Sequence, residues 1–283
     1  MDKKKKWLTR LGLVLAIGLA LVLVLTGCMQ VPATGGSAVT VVGDKLFVSA
    51  TDGTLFVYNT EGFGRVWKVD LETPSGGGNA LCGGFLTGCT LGGAATGVAV
   101  YGAPTVDGDR VYVGGYDGRV RLFDWQQRLD QPLAQYPDLE SDPLGPITSG
   151  IVIGDGLIYF GTGSNPDDKD VNGAIYALDA DTLQRHWTYS EFEERVWATP
   201  ILHDGTLYVA SFDGALYAID AVTGAQKWKF QTEGALVGTP ALVDGPLYFG
   251  SFDLYFYAVN AATGTLKWRS DEPADKWFWA SPV

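Results

Sequence analysis

The chain has 283 residues, of which 46% are hydrophobic and 18% charged, and its net charge is −12. Residues 1–28 hold five cations and one carboxylate, so the remainder has a net charge of −16. A body this acidic argues against binding to nucleic acid and, by charge alone, to anionic lipid. Its two histidines, His186 and His203, are far apart and have no metal-ligand spacing.

The N-terminus has the pattern of an export signal. Residues 1–10 carry the five cations, residues 11–25 form an apolar run of 15 residues, and "LTG" stands before Cys28. A basic start, a short apolar run and small residues before a cleavage point are typical of a secretory signal peptide. The alternative is an uncleaved transmembrane anchor, which needs about 20 apolar residues.

The "LTGC" sequence resembles the lipobox of bacterial lipoproteins. This resemblance implies that residues 1–28 are the signal peptide and lipobox, and that Cys28 is lipidated and becomes the mature N-terminus. A lipid, and not the acidic surface, then holds the exported protein at a membrane. Met29 is compatible with the outer membrane, facing the periplasm, and the cell surface is the alternative. Residues 29–37 are expected to be a linker.

Residues 38–283 contain five copies of one repeat of about 40 residues. In four copies an Asp or Asn (Asx), which we call the anchor, stands eight residues before a tryptophan. An aromatic residue stands three residues before the anchor, and a second Asx stands seven residues before the anchor. The tryptophans of these copies are Trp67, Trp187, Trp228 and Trp268. A further copy has Asp124 as its anchor but Arg121 in place of the aromatic residue, and it lacks the tryptophan.

Each repeat predicts four short antiparallel strands. In "TLYVASFDGALYAID", the dipeptide Asp213-Gly214 predicts a two-residue hairpin turn, whose central residues both need φ > 0. Gly224 is available for a left-handed position in the next turn. Trp228 and Phe230 then share one face of a strand. Four short strands per repeat form a β-propeller blade, so the fold is expected to be all-β without a long helix.

A single blade cannot bury its apolar faces, so the repeat tryptophans are expected to pack against the next blade.

The segments "ALDADTLQRHW", "AIDAVTGAQKW" and "AVNAATGTLKW" resemble the PQQ-type repeat of quinoprotein-like β-propellers, and the resemblance covers nearly all of residues 38–283. Those repeats occur in quinone-cofactor dehydrogenases and in non-catalytic lipoproteins of the outer-membrane assembly factor BamB family. Relatives have seven or eight blades.

Two insertions interrupt the repeats. Residues 71–102 are rich in glycine and contain Cys82 and Cys89, which in an oxidising compartment form a disulfide or else remain two separate thiols. We interpret this insertion as a surface loop that is available for contact with a partner.

The second insertion, "GSNPDDKDVNG", has the oxygen-rich pattern of a calcium loop. Asp168, Asp170 and Asn172 alternate along it, and Asp179 falls at the twelfth position. The alternative is a solvated acidic hairpin, because Asn172 and Asp179 belong to the repeat anyway and a strand after Gly173 carries Asp179 away from the ion. The acidic "SEFEER" segment (190–195) is expected to be a solvated rim loop.

Residues 277–283, "WFWASPV", match the start of another repeat. The chain therefore predicts five blades plus the first strand of a sixth. We interpret it as an incomplete ring of seven or eight blades, and a ring of five blades overlapped by that strand is the alternative.

The first functional hypothesis is an envelope scaffold that binds a protein partner and needs no cofactor. This hypothesis is favoured because the sequence contains no recognisable nucleophile–base motif. The second is a PQQ-dependent dehydrogenase with calcium, although the adjacent cysteine pair of many quinoprotein alcohol dehydrogenases is absent from the sequence. The third is a polysaccharide-binding propeller in which Trp277 and Trp279 stack on sugar, unless these two residues pack inside a blade as Trp197 is expected to do.

Overall fold

The computed structural model describes residues 39–71, 98–164 and 172–282. Within these ranges every regular element is a strand, and the strands form five four-stranded antiparallel sheets. In each sheet the strands pair in the order in which they follow along the chain. The predicted all-β fold of four-stranded propeller blades is confirmed.

The five sheets follow the five repeats. Sheet 1 consists of β1 (Val39–Val42), β2 (Lys45–Ser49), β3 (Thr54–Asn59) and β4 (Arg65–Asp70). Sheet 2 consists of β5 (Thr105–Asp107), β6 (Arg110–Gly114), β7 (Val120–Asp124) and β8 (Ala134–Tyr136). Sheet 3 consists of β9 (Val152–Gly154), β10 (Leu157–Gly161), β11 (Ile175–Asp179) and β12 (Arg185–Tyr189). Sheet 4 consists of β13 (Ile201–His203), β14 (Thr206–Ala210), β15 (Ala215–Asp220) and β16 (Gln226–Gln231). Sheet 5 consists of β17 (Ala241–Leu242), β18 (Pro246–Gly250), β19 (Phe256–Asn260) and β20 (Leu266–Arg269).

The two-residue hairpin turn lies in a different hairpin from the one predicted. Between β14 and β15 only Gly214 has φ > 0, at 82°, and its N–H donates to Ser211 O, so this turn has four residues. Both central residues have φ > 0 in the turn between β13 and β14, where Asp204 is at 45° and Gly205 at 64°. The strand partners His203 and Thr206 flank that turn directly, as a two-residue hairpin requires. The prediction assigned the right turn chemistry to the wrong Asp-Gly.

The repeat tryptophans join neighbouring sheets where a next sheet is described. The indole Nε1 of Trp187 donates to Ala221 O in sheet 4, and that of Trp228 donates to Ala261 O in sheet 5, each at 3.0 Å. Trp67 is buried against Phe123 of sheet 2, with ring centroids 5.8 Å apart. Trp268 in sheet 5 is 49% exposed.

Sheet 2 lacks the repeat's tryptophan and its aromatic residue. The Tyr112 hydroxyl still donates to Ala180 O of sheet 3 at 2.9 Å, a bond between sheets that Tyr159 also makes, to Ala221 O at 3.2 Å beside Trp187. The buried Arg121 forms a bidentate pair with Asp117, at 3.1 and 2.6 Å. The corresponding aspartates of sheets 4 and 5 instead accept a tyrosine hydroxyl.

The core consists of four buried clusters, and each lies between two successive sheets: 1 and 2, 2 and 3, 3 and 4, and 4 and 5. Tyr217 and Ile219 point into the cluster between sheets 3 and 4. The intervening Leu216 and Ala218 point into the cluster between sheets 4 and 5, together with Trp228 and Phe230. Because successive side chains of a strand point to opposite faces, β15 contributes to the clusters on both faces of its sheet. None of these four clusters joins sheet 5 to sheet 1.

Residues 277–282 have the contacts of a repeat start but not the predicted strand. Thr199 N donates to Thr239 Oγ1 at 3.1 Å, and Thr239 N donates in turn to Ser281 Oγ at 2.9 Å. Ser281 thus occupies the position that Thr199 and Thr239 have in their repeats. The first strands of sheets 4 and 5 begin two residues after that threonine, which explains why residues 277–282 contain no strand. Nowhere in the described ranges is there a helix with the length and apolarity to cross a bilayer.

Candidate functional site

The loops of each sheet fall at two edges. At one edge lie the turns between the second and third strands and the connections from one sheet to the next. In sheet 4 these two segments are joined directly, because Phe212 N donates to Arg195 O at 3.0 Å. In sheet 5 the same bond joins Phe252 N to Ala235 O, also at 3.0 Å. This hydrogen bond fixes the aromatic residue of each turn beside the incoming connection.

Five aromatic side chains at this edge form a continuous row, which we call the aromatic row: Trp197, Phe212, Phe252, Trp277 and Trp279. Centroids of Trp197 and Phe212 lie 4.5 Å apart, and those of Phe212 and Phe252 lie 6.4 Å apart. Phe252 stacks on Trp277 at 5.1 Å and contacts Trp279 at 4.8 Å. Trp197 is 36%, Trp277 56% and Trp279 59% exposed.

Arg195 is bound inside this row. The Arg195 guanidinium carbon lies 4.8 Å from the ring centroid of Trp197 and 4.7 Å from that of Phe212. A guanidinium over an aromatic face within about 6 Å is attracted by the negative face of the ring. Arg195 therefore connects two members of the row and fixes their orientation.

Carboxylates surround the row. The connections that lead into and out of sheets 4 and 5 carry exposed acidic residues: Glu191, Glu193, Glu194, Glu233, Asp271, Glu272 and Asp275. Cations in the same connections are Arg195, which is already bound between two rings, and Lys276. The edge therefore presents exposed aromatic faces bordered by negative charge. This combination favours a ligand that has both a positive charge and flat or apolar surface.

The aspartates of the turns shape this edge and are not free to bind a ligand. Asp213 accepts hydrogen bonds from the Tyr217 hydroxyl at 2.6 Å and from Glu193 N at 3.2 Å. Asp253 accepts the same two kinds of bond, from the Tyr257 hydroxyl at 2.7 Å and from the N–H of Glu233. Burial and the bond to Asp253 raise the pKa of Tyr257 to about 12, so this hydroxyl stays a donor.

The structure does not bring together the two described members of the predicted calcium set. Asn172 precedes β11 and Asp179 ends it, so a strand of roughly 3.3 Å per residue separates them. The Asp179 carboxylate accepts hydrogen bonds from Thr182 Oγ1 and N, which lower its pKa, and a further one from Asp181 N. Asp168 and Asp170 lie outside the described residues, so calcium at that end of the loop stays a prediction.

Other predicted sites fall outside the described ranges as well. Cys28, Cys82 and Cys89 all lie there, so lipidation and the disulfide stay predictions. Across residues 39–71, 98–164 and 172–282, no group of three His, Cys, Asp or Glu side chains converges as a metal site. His186 and His203 are exposed, as expected for surface residues.

Two sequence interpretations at this edge are corrected by the structure. Trp277 and Trp279 do not pack inside a blade; Phe278 between them packs on Gly250 instead, where any Cβ would collide with it. The "SEFEER" segment has solvated glutamates as expected, but its Phe192 is buried against Tyr189 and Tyr217. The sequence signal for the row was the residue before each turn aspartate, which is aromatic at Phe212 and Phe252.

A family model described as "Outer membrane protein assembly factor BamB" matches residues 28–130 and 171–282. The chain is 24% identical over 225 residues to the protein of that name from Shewanella oneidensis, which covers 69% of this chain and 53% of the relative. It thus spans about half the length of the curated relative it matches.

Several solved structures share the fold at less than 25% identity, among them the following three. BamB from Moraxella catarrhalis has a TM-score of 0.60 and 18% identity, with 85% of this chain and 62% of that chain covered. The computationally designed Ika8 protein has a TM-score of 0.63 and 16% identity, with coverage of 86% and 64%. Quinohemoprotein alcohol dehydrogenase from Comamonas testosteroni has a TM-score of 0.59 and 16% identity, with coverage of 83% and 42%.

Proposed function

This chain belongs to the family of the outer membrane protein assembly factor BamB, and on that basis we propose that it is an exported propeller scaffold that binds proteins of the cell envelope. Its role in this proposal is to hold a component of the machinery that assembles outer-membrane proteins. The chain performs no covalent chemistry in this role; its sheets present a fixed surface to the partner.

The exposed aromatic row is the observation that carries this proposal. Large exposed aromatic side chains that touch one another are uncommon on a protein surface and mark interaction sites. Tryptophan and arginine are also the residue types that contribute most to binding energy at protein interfaces. The row rests on turns fixed by backbone hydrogen bonds, so little conformational entropy is lost on binding.

Lipid anchoring completes the proposed function. The lipobox at Cys28 tethers the chain, and residues 29–37 separate the lipid from β1. A tethered scaffold meets an embedded partner at a high effective concentration, which compensates for modest affinity at a single face. The proposed location is the envelope, with the propeller outside the cytoplasm.

Site-specific photo-cross-linking tests the scaffold proposal. We expect a photoreactive amino acid at position 279, in the aromatic row, to capture one discrete component of the outer-membrane assembly machinery in living cells. Val222 is the matched control, because it is 69% exposed in the turn between β15 and β16, at the opposite edge of its sheet. The scaffold proposal fails at this face if both positions capture the same proteins or if neither captures any.

The dehydrogenase alternative rests on the shared fold with the quinohemoprotein enzyme, and the polysaccharide alternative rests on the exposed Trp277 and Trp279. Addition of PQQ and calcium to the purified protein tests the first. A quinone absorbance together with dye-linked alcohol oxidation would replace the scaffold proposal with an enzymatic one. Titration with soluble envelope oligosaccharides tests the second.

A further inference from the structure

Sheets 4 and 5 enclose a cleft of about 600 Å³ at the edge opposite to the aromatic row. The wall that sheet 4 contributes includes Thr206, Tyr208 and Trp228. The wall that sheet 5 contributes includes Leu242, Asn260 and Lys267. We call this space the sheet 4–5 cleft.

Both walls of the cleft belong to sheets that the structure describes. Lys267 alternates along β20 with Trp268, so the two side chains point to opposite faces of sheet 5. Trp228, at the repeat position of Trp268, packs on the sheet that follows its own. Lys267 therefore points back to sheet 4, and any sheet that follows sheet 5 packs on the face opposite to the cleft.

Sheet 4 supplies the lysine of its fourth strand with partners of its own. Lys227 Nζ donates to Thr206 Oγ1 at 2.8 Å and lies 3.2 Å from the carboxylate of Asp220. The same carboxylate accepts backbone hydrogen bonds from Val222 and Thr223. The positive charge of Lys227 is thus balanced within sheet 4.

Sheet 5 keeps the lysine but has lost both partners. Lys267 has the repeat position of Lys227, whereas Pro246 replaces the threonine and Asn260 replaces the aspartate. The side-chain oxygen of Asn260 accepts two backbone bonds from its own turn, so its NH2 group is left as a donor. Among the described residues, none pairs with the ammonium group of Lys267.

A tyrosine adds a further donor to the cleft. The hydroxyls of Tyr112 and Tyr159, in the middle of the second strands of sheets 2 and 3, donate to carbonyls of the next sheet. Tyr208 has the same position in sheet 4, but there Trp228 donates to the carbonyl of Ala261 instead. The rings of Tyr208 and Trp228, 5.9 Å apart, form an aromatic wall.

Carboxylates lie at the other margin of the cleft. Asp204 and Asp244 belong to the turns that follow β13 and β17, and both are exposed. Asp204 lies 3.2 Å from Nε2 of His203. Ionised carboxylates accept hydrogen bonds, whereas the ammonium of Lys267 can only donate them. A ligand that fits the whole cleft therefore has hydroxyl donors at one end and an anionic group at the other.

We propose that the sheet 4–5 cleft binds a sugar that carries a phosphate or carboxylate group. The anionic group accepts charge-assisted hydrogen bonds from Lys267 Nζ and a further bond from the NH2 group of Asn260. The sugar ring lies against the wall of Tyr208 and Trp228, and its hydroxyls donate to the carboxylates of the two turns. Because the cleft and the aromatic row are at opposite edges, this inference is independent of the scaffold proposal.

Ligand-observed saturation-transfer NMR on the purified protein tests this inference. The probes are glucose 6-phosphate and glucuronate, and glucose is the neutral control with the same ring. We expect saturable binding of at least one acidic sugar and binding of glucose that is weaker by at least about threefold. Comparison of the two probes identifies the anionic group. Absence of saturable binding by both, or equally tight binding of glucose, would overturn the inference.

Variants of sheet 5 locate the binding. Asn260→Asp restores the carboxylate that Lys227 has in sheet 4, where Asp220 occupies the same turn without disrupting it. It should weaken binding of the acidic sugar by about three- to tenfold, because Lys267 is then paired within its own sheet. Lys267→Gln should weaken binding to a similar extent. Unchanged binding in Asn260→Asp would mean that the missing carboxylate does not create the site.

Two further variants are controls. Lys267→Arg keeps the positive charge and should retain binding. Lys229→Gln is the matched control for Lys267→Gln, because Lys229 lies on the corresponding strand of sheet 4 but outside the cleft, and it should leave binding unchanged. Unfolding curves for every variant separate loss of binding from loss of folding.

Discussion

At the residue scale, Arg121 shows how one side chain can replace another within a repeated pattern. Sheets 4 and 5 join a tyrosine hydroxyl to the turn aspartate, whereas sheet 2 joins Arg121 to Asp117 through two hydrogen bonds. Arg121 is only 3% exposed, so Asp117 would be left without its buried partner if the guanidinium were removed. Breaking a buried pair in this way is strongly destabilising.

We therefore expect Arg121→Leu to lower the free energy of unfolding by about 3–5 kcal/mol. Arg121→Tyr should lose clearly less, because a tyrosine hydroxyl can donate to Asp117 as it does to Asp213 and Asp253. Urea denaturation measures both changes, and Arg65→Leu on the exposed side of β4 serves as the control. Equal losses in the leucine and tyrosine variants would show that the hydrogen bond to Asp117 does not matter.

Asp220 predicts a pH dependence of stability. Hydrogen bonds from Thr223 N and Oγ1 and from Lys227 lower its pKa to about 2, against about 3.9 in an unfolded chain. Because the pKa is lowered in the folded state, the stabilisation is complete above pH 4 and disappears as the pH falls from about 4 to about 2.

Asp220→Asn tests this dependence. Asn260 accepts the equivalent backbone bonds in sheet 5, from Ala262 N and Thr263 N, so asparagine fits this turn. The wild type should be the more stable protein at pH 6, and the difference should shrink between pH 4 and pH 2 in parallel unfolding experiments. A difference that stays constant over that range would contradict the assignment.

At the scale of the element, the repeat tryptophan acts through the next sheet and not through its own. Trp228 packs in the cluster between sheets 4 and 5 and donates to Ala261 O, whereas Trp268 at the same repeat position is 49% exposed. The same residue type on the same kind of strand therefore contributes differently, because its partner lies in another sheet.

Trp228→Ala should accordingly lower the free energy of unfolding by about 3–5 kcal/mol, and Trp268→Ala by less than about 1 kcal/mol. Trp228→Phe should fall between them, since it keeps the ring but loses the hydrogen bond to Ala261, worth about 1 kcal/mol. Chemical denaturation measures the free energy of unfolding of the three variants, which are compared where their m-values equal that of the wild type. Similar losses at positions 228 and 268 would mean that burial against the next sheet is not the cause.

At the scale of the whole molecule, each sheet packs against the next one along the chain. The aromatic row lies at the edge that holds the turns between second and third strands. The row spans the turns of sheets 4 and 5 and the segment after β20. No single repeat contains it. A binding surface of this kind therefore depends on the rigid succession of sheets, which explains why exposed aromatic residues can stay oriented without being buried.

The proposed anchor is also a property of the whole chain. We expect Cys28→Ser to move the protein from the membrane fraction to the soluble fraction and to abolish incorporation of radiolabelled fatty acid. If the variant stays in the membrane fraction, the apolar run at residues 11–25 is itself the anchor. Cells that express the wild type are the reference for both measurements.

The sequence by itself determined the architecture, because the repeat encodes it locally. The spacing of Asx, aromatic residue and tryptophan identified four of the five sheets, and the copy with Asp124 identified the other; the alternation at Trp228 and Phe230 identified residues that share a face. It placed the two-residue turn at Asp213-Gly214 instead of Asp204-Gly205, since both dipeptides have the same composition and only the length of the flanking strands selects the turn.

Only the tertiary structure decided where the functional surface lies. Trp197, Phe212, Phe252 and Trp279 are separated by up to 82 residues in the chain, yet the turns and connections bring them to one edge. Trp228 is partly buried because sheet 5 packs against it, whereas Trp197 lies exposed in the row. Local periodicity fixes the strands, but contacts between repeats fix exposure, and exposure decides which aromatic residues are free to bind a partner.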